Sequence, residues 1–412
     1  MTPPVSRRHF LTAAGTGLLA ATVPLSLLAA ASPGRADRLT RIELLPIRAT
    51  ERTVWLFVRL HTASGLSGLG EASDAFGYAG TSRADAARMQ AELNAYFSLV
   101  EGRSPLDIAF YRSAGLARAK AGGLFAATAY SAIEQALWDL AGQLAGQPTY
   151  NLLGGKVRDR LPVYANINRA TKPRTPAGFA ASARRAVADG FRALKLAPFD
   201  GFKRADFPRP SQARPVLEGI DCIAAVRDAV GADVQVMVDA HSLFDVPLSI
   251  EVAHRLLPYQ LSWYEEPVAP ELVAETVAIR RGIRQEMAGG ETLFQLRGFA
   301  ALSESRGVEV IMPDVKHCGG LLELTHIAAH AALHGVAVAP HCPSGPVCSA
   351  ASIQVCAGMP NFRLLELQWG EVPWRGEILT PPETYVHGEI AVPTGPGFGV
   401  ALNEDLVTKY RL

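Results

Sequence analysis

The sequence predicts an α/β protein, a (β/α)8-type, TIM-like barrel preceded by an α+β unit, and three observations predict it. First, three acidic residues stand just after short apolar runs: Asp239 in "VMVDAHSLF", Glu265 in "LSWYEEP" and Glu291 in "MAGGETL", 26 residues apart each time. That interval holds one strand, one helix and two short loops. Second, the rhythm continues, because "VIMPD" ends at Asp314, "VAVAPH" at His341 and "RLLELQ" reaches Glu366, with gaps of 23, 27 and 25 residues. Third, the text from Arg38 to Leu99 begins with alternating strand-like runs before it turns helical. A single acidic residue after a strand commonly caps the next helix. Six βα-sized steps in register, each ending in an ionisable side chain, instead place chemistry at the C-terminal face of a parallel barrel.

Taken in order, 412 residues allow two domains, and 49% hydrophobic content supplies a large core. A net charge of +1 without a long basic run argues against nucleic acid or an anionic membrane surface as partner. Residues 1–36 read as a twin-arginine export signal, with Arg7 and Arg8 before an apolar run and small residues at Ala29, Ala31 and Ala36. An uncleaved anchor is the rival reading, but Gly15, Gly17, Thr22 and Pro24 make the run weakly hydrophobic. The expectation is a periplasmic protein that meets a membrane only during export. Cys222, Cys318, Cys342, Cys348 and Cys356 are odd in number and lack a CxxC pair, and four of the five lie in or beside predicted core strands and helices, where a free Cys reads as a small hydrophobe.

Residues 38–155 form the α+β unit. "RIELLPIRAT", "TVWLFVRLHTASG" and "SGLGEAS" read as a meander turned at Gly65, followed by helices over 83–100 and 126–146. Residues 156–375 form the barrel, with Leu161 to Asn168 as first strand and "FRALKLAPF", carrying Lys195, as second. Residues 200–215 stretch the next unit to 44 residues, which predicts a loop at the mouth facing substrate or a neighbouring subunit. Residues 376–412 are a Gly- and Pro-rich C-terminal segment without helical periodicity.

Three carboxylates sharing one mouth repel one another unless a cation or shared protons intervene. Oxygen-only ligands suit one Mg²⁺ per site, with Mn²⁺ as the alternative, rather than zinc. Asp314 stands one βα unit before His341, so its carboxylate can hydrogen-bond the imidazole and raise its basicity. Without that partner a His in "APHCP" would be an ordinary packed residue. His241 lies two residues past Asp239, and strand alternation aims it to the same side; a helix-capping role is the competing reading. His326, His330 and His334 recur every four residues, a spacing that suits a metal, but they read more simply as one face of a partly solvated outer helix far from the mouth. "HCGG" lacks the strand–GxGxxG–helix context of a nucleotide site.

The motifs "SAIEQALWDLAG", "LLGG", "VDAH", "YEEP", "GGET", "MPDVKHCGG", "APHCPSGP" and "LLELQWG" fall in order over residues 40 to 405. With them the chain resembles the enolase superfamily, in the mandelate racemase group, and most closely the galactonate dehydratases. The resemblance implies a modified (β/α)7β barrel and an α+β capping domain. Its loops, here Arg48 to Thr53 and Ala72 to Arg83, would cover the mouth and choose the substrate. It also implies a C-terminal segment that returns to the capping domain, and a symmetric homo-oligomer. Asp239, Glu265 and Glu291 would be the metal ligands and His341 with Asp314 the base. His241 would protonate the departing 3-hydroxyl. Glu366, protonated, would bond a substrate carboxylate oxygen, a salt bridge to Lys316 being the competing reading.

The racemase pattern KxK is broken, since "KLA" puts Ala197 where the second base would stand, which disfavours a two-base racemase and leaves Lys195 to bind a carboxylate. The expected activity is Mg²⁺-dependent dehydration of a small-molecule acid sugar, a galactonate-like aldonate, to a 2-keto-3-deoxy acid. Cycloisomerisation or epimerisation through the same enediolate, and a non-catalytic periplasmic binding protein, are the alternatives.

Overall fold

The computed structural model describes residues 37–76 and 81–412, so the export-signal expectation lies outside the described residues, as does the centre of the Ala72 to Arg83 loop. Strands Leu39–Arg48 (β1), Val54–Thr62 (β2) and Ser67–Glu71 (β3) form an antiparallel meander. Helix Arg83–Phe97 opens with a capping box, in which Ser82 Oγ accepts from the Asp85 N–H at 3.1 Å and Asp85 Oδ2 from the Ser82 N–H at 2.9 Å. Losing that cap costs about 1 kcal/mol.

Helix Ile108–Ala121 had no counterpart in the sequence reading. Its buried stripe is Ile108, Tyr111, Gly115 and Ala119, so half of the apolar face consists of residues too small to mark a period. Helix Gly123–Ala145 is buried on nearly every side, and the meander lies hard against it. A Cβ on Gly70 would come within 2.0 Å of the Ala132 carbonyl oxygen.

The barrel has eight parallel strands: Arg160–Asn166 (β4), Ala193–Leu196 (β5), Gln235–Asp239 (β6), Trp263–Glu265 (β7), Met287–Gly289 (β8), Val310–Ile311 (β9), Ala337–Val338 (β10) and Leu365–Gln368 (β11). They pair in sequence from β4 to β10, and β11 returns to β4. Backbone bonds joining Val338 to Asn361 and Arg363, at 2.9 and 2.8 Å, close the ring. A helix follows each of the first seven strands and none directly follows β11, which gives the (β/α)7β form.

Strand alternation explains the mouth. Tyr164, Ala193, Met237, Trp263, Ala288, Met312, Ala339 and Leu364 fill the lumen, whereas Val163, Leu194, Val238, Tyr264, Ile311, Val338 and Leu365 pack against the helices. Two residues beyond a lumen position stand Asn166, Lys195, Asp239, Glu265, Asp314, His341 and Glu366. Period two therefore lifts seven polar side chains above one apolar layer. Glu291 is the exception, three residues past Ala288, and Gly290 at φ 106° supplies the extra step.

Two capping-unit carboxylates lock the halves together. Glu134 accepts the N–H groups of Leu321 and Leu322 (2.7 and 3.2 Å) at the start of helix Leu321–Leu333. Glu71 does the same for Gly345 and Cys348 (both 2.7 Å) at helix Pro346–Cys356. Each anion meets the positive end of a helix. The second glycine of "HCGG" is thereby explained, because Gly320 has φ 90° and a Cβ there would sit 1.9 Å from Glu134 Oε2.

The 200–215 insertion folds as two 3₁₀ turns, Arg204–Asp206 and Pro210–Gln212, with Phe202 anchored on Phe244. The C-terminal segment returns to the meander, where Leu412 N–H bonds the Pro46 carbonyl at 2.9 Å. Contrary to expectation it ends in a short helix, Glu404–Tyr410, capped by Asn403. All five cysteines are free, as read from the sequence, and all five are buried.

Candidate active site

A cleft of about 880 Å³ opens at the C-terminal ends of the strands, lined by Asp239, Lys195, His241, His341, Asn166 and Gln368, with Arg52 and Arg169 at its rim. Asp239, Glu265 and Glu291 are buried and each offers one oxygen, all within 4.8 Å of one another. Trp263 Nε1–H bonds Glu265 Oε2 at 2.9 Å, an i, i+2 pair on one strand face that fixes the carboxylate. Lys195 stands among the acids, with Nζ 2.8 Å from Glu265 Oε1, 3.0 Å from Glu366 Oε1 and 3.7 Å from Asp239 Oδ2. Burial opposes its charge, but Glu265 and Glu366 outweigh burial and raise the ammonium well above the ordinary lysine value.

One lysine does not neutralise this cluster. Burial and the Asp239 carboxylate push Glu265 well above the ordinary carboxyl range, with Lys195 opposing. Glu266 beside it is raised to about 8, by burial and then by Glu291. Three convergent oxygens from adjacent strands, in a site with excess negative charge, fit a hard divalent cation such as Mg²⁺.

His341 Nδ1 lies 2.8 Å from Asp314 Oδ2, so Nδ1–H donates to the carboxylate. Nε2 then faces the triad, 3.2 Å from Glu291 Oε2 and 3.9 Å from Glu366 Oε2. Asp314 Oδ2 also accepts from Lys316 Nζ. Burial would raise Asp314, yet Lys316, His317 and His341 hold it below the usual carboxylate range. Burial would lower His341, but Glu291, Glu366 and Asp314 lift it to about 9.

His241 also reaches the mouth, by another route than expected. Strand β6 stops at Asp239, and His241 (φ 47°) and Ser242 (φ 58°) adopt the left-handed conformation, so a turn rather than strand alternation aims the ring. Its Nδ1 meets Asp200 Oδ1 at 2.6 Å and its Nε2 meets Asp239 Oδ2 at 3.0 Å. Burial opposes protonation, but Asp239 and Asp200 raise the imidazole well above its ordinary value.

For Glu366 both the expected protonated state and its competing reading, a salt bridge to Lys316, are corrected. Its partner is Lys195 across the closed barrel, whereas Lys316 belongs to Asp314. Nor does its surrounding favour a proton. Burial alone would raise it, but Lys195, His341, the Cys342 N–H at 2.9 Å and Asn166 Nδ2 at 2.8 Å all favour the carboxylate, which is lowered.

The sequence reading missed Asn166 and Asp200. Asn166 was accessible, being two residues past a lumen position on β4 like the others. Asp200 was not, because it comes from the insertion, whose path no periodicity sets.

Residues 178–406 match the family described as Enolase C-terminal domain-like, and residues 43–154 match the Mandelate racemase / muconate lactonizing enzyme, N-terminal domain. The chain belongs to the enolase superfamily, in its mandelate racemase group. This enolase-superfamily chain is 36% identical over 290 residues to a D-gluconate dehydratase of Thermoproteus tenax, covering 69% of the chain and 56% of that relative, just over half its length. It is 33% identical over 295 residues to a D-galactarolactone cycloisomerase of Agrobacterium fabrum, covering 69% and 74%. It is 30% identical over 364 residues to a D-galactonate dehydratase of Variovorax paradoxus, covering 86% and 90%. Among solved structures, a mandelate racemase/muconate lactonizing enzyme from Jannaschia sp. CCS1 superposes with a TM-score of 0.80 at 27% identity, covering 91% of this chain and 98% of that one.

Proposed function

We propose that this enzyme is a Mg²⁺-dependent hydro-lyase that dehydrates an aldonate-type acid sugar to a 2-keto-3-deoxy acid. The observation that carries the reading is that two imidazoles held by different carboxylates, His341 by Asp314 and His241 between Asp200 and Asp239, border the same carboxylate triad. Asp239, Glu265 and Glu291 would hold the cation. Bound there, it supplies positive charge that offsets the second negative charge a carboxylate gains as its α-proton leaves.

The chain's own residues divide the rest. Lys195 receives the substrate carboxylate, and Glu366 holds that ammonium in place. In its neutral form His341 takes the C2 proton at Nε2, with Nδ1–H kept on Asp314, and a cation held by Glu291 would offset the carboxylate charge that otherwise keeps this imidazole protonated. His241, kept protonated by its two carboxylates, gives a proton to the C3 hydroxyl. Water leaves, and the resulting enol gives up its C2 hydroxyl proton and takes one at C3 to become the keto acid. Incubating the purified protein and Mg²⁺ with a panel of aldonic acids, read with semicarbazide for 2-keto acid, tests this. Keto product from at least one member is expected, and none from the whole panel contradicts it.

The cycloisomerase relative motivates a second reading, ring opening or closure of a sugar lactone after the same proton abstraction. Ring opening by that route would give a keto acid of the same mass as the lactone, whereas dehydration removes one water, so the product's mass separates the two. Arg7, Arg8 and the apolar run after them support a periplasmic location. Replacing both arginines by lysine should leave the protein in the cytoplasmic fraction, and unchanged export would contradict that.

A further inference from the structure

We infer that Glu304, His330 and His334 form a second metal site on the outside of the barrel, one that takes a borderline-soft transition ion, Zn²⁺ first among them. Glu304 is the last residue of helix Gln295–Glu304, His330 lies in the last turn of helix Leu321–Leu333, and His334 is that helix's C-cap. Both helices run back against the strands, so their C-terminal ends lie where the strands begin, at the opposite end of the barrel from the Asp239 triad. His330 and His334 are i, i+4 neighbours on one helix face. His326, one turn earlier, is exposed and stands outside the cluster.

The geometry favours a metal over a hydrogen bond. One donor atom from each residue falls within 4.8 Å of the others. His330 Nε2 stands 3.5 Å from Glu304 Oε1. Tetrahedral zinc with bonds of about 2.0–2.2 Å separates neighbouring donors by roughly 3.3–3.6 Å, so this edge is already set. The two rings have centroids 4.8 Å apart and are tilted by 50°, which is not a parallel stack. His330 Nε2 is buried and has no hydrogen-bond partner among the described residues. Such atoms are normally satisfied, and a metal bond would satisfy this one.

Donor chemistry separates the two sites. Two imidazoles and a carboxylate, with water in the fourth position, suit Zn²⁺. Three carboxylates at the mouth suit Mg²⁺. The negative ends of two helix dipoles add to the attraction for a cation. Because the ligands come from consecutive outer helices, an ion here ties those helices together and stabilises the folded barrel.

Co²⁺ is the probe. The full chain is stripped with chelator, given excess Mg²⁺ to occupy the mouth, and titrated with Co²⁺. Four-coordinate Co²⁺ absorbs strongly in the visible, whereas six-coordinate oxygen ligation absorbs weakly. The expected result is one equivalent of strong absorption, erased by Zn²⁺, with Zn²⁺ raising the melting temperature of the Mg²⁺-loaded protein. H330Q/H334Q should lose both responses, and E304Q, at an exposed position, should weaken Zn²⁺ binding at least tenfold while the protein stays folded. Only weak six-coordinate absorption in the parent protein, or an unchanged strong spectrum in E304Q and H330Q/H334Q, would overturn the site. Neither outcome depends on which sugar acid the enzyme uses.

Discussion

His341 and His241 face the same carboxylate triad but are built in different ways. His341 continues the two-residue alternation of β10, is buried, and is held by Asp314 and through it by Lys316. His241 sits past the end of β6 in a left-handed turn, with its side chain 19% exposed, and its outer partner Asp200 belongs to the insertion. On our reading of their roles, the group that must meet a C–H bond in one fixed place stands on the rigid barrel. The group that must meet a hydroxyl, whose position differs among sugars, is held partly by a loop. The first arm should therefore be common to many substrates and the second should help to select them.

The comparison breaks first at what both arms share. Removing divalent cations with chelator should silence keto-acid formation, and Mg²⁺ should restore it; full activity after exhaustive chelation would remove the triad from the account. Next, H341N should lower kcat by about 10⁴-fold, the upper range for a lost general base. Smaller, H241N should lower dehydration by about 10²-fold. Smallest, D200N should cost about tenfold, the scale of a lost partner that orients a reacting group, and should change relative rates across the sugar panel. A uniform loss across the panel would mean that Asp200 does not tune selection.

The same contrast marks what was legible in the sequence. The fold and most of the site could be read because period two ties Lys195, Asp239, Glu265, Asp314, His341 and Glu366 to apolar lumen positions on their own strands. Partners joined by barrel closure could not. Lys195 and Glu366 meet only because β4 pairs with both β5 and β11, so the competing salt-bridge reading for Glu366 named Lys316 instead. Asp200 was hidden because the insertion is positioned by Phe202, Phe207 and Phe244, contacts between rings without a repeating interval. Helix Ile108–Ala121 was hidden because glycine and alanine supply much of its buried face.

Solvent deuterium exchange at C2 of the substrate, in the presence of Mg²⁺, tests the division between the two imidazoles most directly. The account predicts that H241N washes deuterium into C2 while forming little keto acid, and that H341N does neither. Exchange at the parent rate in H341N, or its complete loss in H241N, would contradict it.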